Sequence, residues 1–178
     1  MTQITLSTMP RRAKIAIILA GLLGTFVFSV PFGIIYGDFI VGFGTVNWVF
    51  LFLGCVVATI PLHEGMHGLF FRLYGGKVKF GAKLRTPFGP VFWATSEKMF
   101  PRRQFQMISL APQLLTVALS SFIALGGLPP IVQMGLIIVA VGNLVGGAFD
   151  IYLAVLLRRY PSSVMVRDIQ DGLEVCYQ

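Results

Sequence analysis

Residues 46–74 read VNWVFLFLGCVVATIPLHEGMHGLFFRLY. The run is apolar over more than the ~20 residues that a helix needs to cross a bilayer core, so it is expected to form a transmembrane helix. Close to its end stands His63-Glu64-Gly65-Met66-His67, which holds both histidines of the chain and one of its three glutamates. Side chains four residues apart project from nearly the same side of a helix. His63 and His67 can therefore place imidazole nitrogens on a single ion, with Glu64 beside them as a base. An ionisable group at membrane depth costs at least ~2.5 kcal/mol. A divalent cation, Zn2+ by the chemistry of this ligand pair, offsets that cost for all these groups at once.

Composition sets the surroundings. With 56% hydrophobic and 12% charged residues among 178, the chain lies far from the ~25% charged residues of soluble domains, and an integral membrane protein is expected. Ile15–Tyr36 is too long for a signal-peptide core and has no small-residue cleavage site before Asp38, which makes it a retained helix. A third segment, about 105–125, carries Ser109, Gln113, Thr116 and Ser120 on one face, which should turn into a bundle. The fourth, 131–157, stops at Arg158-Arg159 and Tyr160-Pro161. The expected fold is an all-α membrane protein with four transmembrane helices, 15–36, 46–74, 105–125 and 131–157. They make a single domain over residues 1–161, followed by a short cytoplasmic tail over 162–178.

Between the second and third helices the period changes. Lys77, Lys79, Lys83 and Arg85 alternate with Val78, Phe80, Ala82 and Leu84, the pattern of an amphipathic strand. Pro87-Phe88-Gly89-Pro90 supplies turn residues, and Val91–Thr95 reads as a returning strand. The stretch reads either as a β-hairpin at the cytoplasmic membrane surface or as a solvated basic loop; in the hairpin, the Lys77–Arg85 strand could offer free backbone groups to an extended peptide. The residues from Val164 to Gln178 contain an Asp171-Gly172 turn and could make a smaller hairpin.

Basic residues orient the chain. Arg11, Arg12 and Lys14 precede the first helix, eight Lys or Arg lie from Arg72 to Arg103, and Arg158, Arg159 and Arg167 follow the fourth, whereas the two opposite loops carry none. By the positive-inside rule both termini and the hairpin are cytoplasmic. Orientation and anionic lipid then account for the net charge of +7 without a nucleic-acid partner. Cys55 in a span and Cys176 in the tail imply no disulfide.

Asp150 is the only acid besides Glu64 in the four apolar segments. At ~1.5 Å rise per residue, it and the histidine pair both lie roughly 12–14 Å inward from the cytoplasmic ends of their helices. His63, His67 and Asp150 thus make a three-ligand set, which in zinc sites leaves a position open for water, as catalysis requires. Glu64 is then placed to take a proton from that water and deliver it to a leaving amine. Asn143, Gly146, Gly147 and Asp150 form one helical stripe, whose glycines are read as close-packing positions.

The H-E-G-M-H of an early membrane helix, the basic hairpin after it, Ala111-Pro112-Gln113 in the third helix and the Asn143-to-Asp150 stripe together resemble the site-2-protease group of intramembrane zinc metallopeptidases. The small size and the phrases around His63 and Asp150 more closely resemble the putative zincin peptidases, a family of bacterial and archaeal membrane proteins related to that group. The resemblance implies a multi-pass protein of a prokaryotic cell membrane in which His63, His67 and Asp150 hold zinc and Glu64 is the general base. It also implies that Asn143 binds substrate, although the step from Asn143 to Asp150 is shorter than in site-2 proteases. The expected partners are a membrane-protein or peptide substrate and the lipid bilayer, with no oligomeric state indicated. Two other classes share such motifs: a metal transporter, and a non-catalytic membrane scaffold that keeps a metal site.

Overall fold

The computed structural model describes residues 2–5, 10–84, 91–169 and 172–177. The expected turn at Pro87–Pro90, Arg85 before it and Asp171 of the second turn lie outside the described residues. In chain order the elements are strand β1 (Thr2–Thr5), helices α1 (Arg11–Phe43) and α2 (Thr45–Leu73), strands β2 (Lys79–Lys83), β3 (Val91–Thr95) and β4 (Phe100–Pro101), helices α3 (Arg102–Leu125), α4 (Pro130–Gly146) and α5 (Ala148–Leu156), a short 3-10 turn (Leu157–Arg159), and strands β5 (Met165–Ile169) and β6 (Gly172–Cys176).

Proline and glycine punctuate the helices as backbone chemistry requires. α4 opens with Pro130, whose missing N–H would have had no partner in the first turn. α2 stops where Gly75 adopts φ +76°, so that its N–H reaches Arg72 O at 2.9 Å and that of Gly76 reaches Phe71 O at 2.8 Å. Among the described residues, three helical stretches are long and apolar enough to cross a membrane: Val46–Leu73, Arg102–Leu125 and Pro130–Arg159. They turn much apolar surface outward, Phe50, Phe52 and Val57 of α2 among them.

The fourth apolar segment is not one unbroken helix, since Gly147 separates α4 from α5 and leaves Asp150 in the first turn of the latter. An all-α fold also understates the chain, because two antiparallel sheets accompany the helices. β2 and β3 form the expected hairpin, with Phe80 opposite Ala94 and Ala82 opposite Phe92. The second sheet has the order β1-β6-β5-β4 and joins residues 2–5 to residues 172–176. Its inner side chains, Val166, Leu173 and Val175, share one buried cluster with Phe71 of α2, Phe105 and Ile108 of α3 and Leu157. The sheet therefore closes one end of the helix bundle. Arg167 and Glu174 pair across β5 and β6.

Candidate metal centre

Helix α2 delivers both histidines to α4 and α5. Cys55, Thr59 and His63 recur every four residues on the face of α2 that meets α4, and each stands over a glycine: Gly135, Gly142 and Gly146 respectively. A Cβ on Gly142 would come 3.3 Å from Thr59 Oγ1, so the missing side chains let the two helices approach. On the other side of α4, a Cβ on Gly147 would collide with Gln113 Nε2 of α3. These are packing contacts, the small-residue kind that bring membrane helices together.

The approach gathers the three ligand candidates. His63 Nε2 lies 3.2 Å and His67 Nε2 3.4 Å from Asp150 Oδ2, and one ligand atom of each residue falls within 4.8 Å of the others. With metal–ligand bonds of ~2.0–2.1 Å, adjacent ligand atoms of a tetrahedral centre stand about 3.3 Å apart. The spacing found here is that of ligands around a common ion.

The ring hydrogens agree. Asn143 Nδ2 donates to Pro112 O and to Thr116 Oγ1, both at 2.7 Å. A carbonyl oxygen can only accept, so this contact fixes which end of the amide is nitrogen and turns Oδ1 toward His63 Nδ1, 3.1 Å away. Nδ1 of His63 therefore carries a hydrogen. His67 Nδ1 donates likewise to Ile108 O at 2.9 Å. In the neutral imidazoles the Nε2 lone pairs are then left free, and both face a carboxylate oxygen. Two nitrogen lone pairs and an anionic oxygen aimed at one point repel one another unless positive charge, a metal ion or protons on the rings, stands between them. The donor set fits zinc.

Glu64 is held apart from this set. Its Oε2 accepts the backbone N–H of Ala94 in β3 at 2.6 Å, which aims the carboxylate alongside the ligands and leaves it outside their cluster. Gly68 makes room for the hairpin, since a Cβ there would lie 2.7 Å from the Phe80 ring. Asn143 is fully buried behind His63 and has spent both amide hydrogens on α3.

Beside the hairpin, Thr95 Oγ1 of β3 donates to the carbonyl of Asp168 in β5 at 3.4 Å. Burial pushes the Asp168 carboxyl up to about 7, the nearby Asp150 and Glu64 adding to the rise while the Thr95 hydroxyl and His67 oppose it. The roles of Ile108 and Ala94 were not legible beforehand, because each acts through its backbone. Thr116 could be seen only as part of a polar helix face, and Asp168 only as one acid of a short terminal strand.

A family model described as putative zincin peptidase matches residues 56–165, a stretch that contains His63, Glu64, His67, Asn143 and Asp150. No curated protein and no solved structure matches the chain. The family match covers well over half of the sequence and coincides with the ligand cluster that the helices assemble, and the chain belongs to the putative zincin peptidase family.

Proposed function

We propose that the chain is a zinc-dependent endopeptidase of site-2-protease type, which hydrolyses peptide bonds of membrane-associated substrates near the cytoplasmic face of a membrane. The observation that carries this reading is the convergence of His63 Nε2, His67 Nε2 and Asp150 Oδ2, with the Glu64 carboxylate held beside them and not among them. Zinc bound there would supply a Lewis acid that polarises a peptide carbonyl and acidifies water. The protein's own part is positional. Asn143 and Ile108 hold the two rings, and Ala94 holds Glu64, which takes a proton from the attacking water and returns it to the leaving amine. Asn143, with both amide hydrogens engaged on α3, is better suited to steady His63 than to touch substrate.

One structural fact supports a four-span arrangement with α1 as the fourth span. The pairing of residues 2–5 with residues 172–176 puts the two ends of the described chain on the same side of the bundle, which an even number of crossings requires. Charge then assigns that side to the cytoplasm, since the Lys and Arg residues flank it. There the hairpin borders the site, but with β3 innermost. Because the Ala94 N–H points to Glu64, the outward backbone groups of β3 are those of Phe92 and Ala94, while those of β2 are at Phe80 and Ala82 on the far edge. An extended substrate that pairs near the base would meet β3, not the Lys77–Arg85 strand.

The test is metal content joined to cleavage. Purified wild type should carry about one zinc per chain and cleave a co-reconstituted membrane substrate, and a His63→Ala/His67→Ala double variant should lose both. A wild type that stays metal-free in the presence of zinc would contradict the reading.

A further inference from the structure

Both imidazoles are anchored to the same short stretch of α3, and the means of anchoring is a proline. Inside an α-helix, the carbonyl of Ile108 would accept the N–H of residue 112. Residue 112 is proline and has none. The carbonyl so released is the one that accepts the Nδ1–H of His67 at 2.9 Å, at a fully buried position where water cannot replace a missing partner. Four residues further on, the carbonyl of Pro112 itself accepts Asn143 Nδ2 at 2.7 Å, and Asn143 Oδ1 receives His63 Nδ1 at 3.1 Å.

We propose that Pro112 is a positioning residue of the metal centre: by withholding a backbone N–H it leaves Ile108 O for His67, and through its own carbonyl and Asn143 it sets His63. One helix turn of α3 thereby places both rings in the Nδ1–H form, with each Nε2 facing Asp150. The structure offers an internal comparison. α2 also contains an interior proline, Pro61, but no side chain among the described hydrogen bonds goes to the carbonyl it releases, that of Val57, whose side chain is exposed. A proline that merely bends a helix would not need a histidine at the gap; here the gap is filled by a ligand from another helix.

The inference rests on the zinc reading of the site, and its test separates the two. Zinc affinity is measured by chelator competition on the reconstituted protein, with far-UV circular dichroism confirming helix content for each variant. Pro112→Ala restores an N–H that competes for Ile108 O, and affinity should fall about tenfold or more, as when other partners of ligand histidines are lost. Replacement of Pro112 by lactic acid, which has neither ring nor N–H, should keep affinity within about threefold of wild type. Equal affinity in Pro112→Ala and wild type overturns the proposal. So does a loss that the lactate variant fails to restore, because ring geometry and not the released carbonyl would then be responsible. Failure of the wild type itself to bind zinc would instead remove the metal centre and leave the role of Pro112 without a ligand to serve.

Discussion

His63 and His67 have the same ring polarity, but by different routes: one through a buried asparagine amide, the other through a bare backbone carbonyl. Each route uses the Nδ1 hydrogen, and it is this use that makes the Nε2 atoms ligands in waiting. Asp150 supplies the only carboxylate of the cluster and brings its negative charge to within 3.2 and 3.4 Å of the two nitrogens. Asp150→Ala should therefore lower zinc affinity at least about tenfold while the helices stay intact, as measured by chelator competition and circular dichroism. Full zinc retention would take Asp150 out of the ligand set. At this scale the sequence was informative wherever side-chain chemistry is rare. With only two histidines in the chain, four apart in an apolar run, the ligand pair could be seen at once. Asp150 could be matched to them by depth. The partners that orient the rings could not, since a carbonyl belongs to every residue; the one trace of Ile108 was a proline four positions later.

Among the elements, the hairpin was visible in outline but not in which strand packs innermost. Alternation of basic and apolar residues marked β2, and β-branched and aromatic residues marked β3, so both strands fall where the pattern put them. Which strand would lie against α2 was not encoded in that alternation. It depends on the Ala94 N–H, whose bond to Glu64 of α2 makes β3 the inner strand. The difference can be tested at one register position, where Ala82 faces Phe92. Phe92→Pro removes an inward-edge donor and should cut turnover roughly fivefold, about 1 kcal/mol for one backbone hydrogen bond, with zinc retained. Ala82→Pro removes a donor on the far edge and should leave turnover within about twofold. The reverse order in a cleavage assay would return the docking strand to β2. The division of the last span at Gly147 was likewise hidden, because Gly146-Gly147 reads equally as a packing pair, which it also is.

For the molecule as a whole, the least legible feature is the sheet that closes the bundle. Its outer pairing joins residues 2–5 to residues 172–176, strands too short to be recognised alone and too distant in sequence to be recognised as a pair. That sheet also carries Asp168 to the edge of the site. Its carboxyl, raised by burial from an ordinary 3.8 to about 7, holds its proton in the folded chain over a range where the unfolded chain has lost it. Folding stability linked to Asp168 is thus full below pH ~4 and declines as pH rises towards 7. Asp168→Asn should remove this decline, so that its melting temperature matches wild type near pH 4 and exceeds it at pH 8, in thermal melts of the detergent-solubilised protein. Parallel pH profiles for the two proteins would show that Asp168 titrates normally.

The central claim is that Glu64 is the base of a zinc peptidase and not one of the metal's ligands. It is tested most directly by Glu64→Gln, assayed at once for zinc content and for cleavage of a co-reconstituted membrane substrate. Glutamine keeps an oxygen to accept the Ala94 N–H but cannot take a proton at neutral pH. The expected result is zinc at the wild-type level with cleavage reduced at least about a hundredfold. Cleavage that persists in Glu64→Gln, with the metal still bound, would contradict the mechanism.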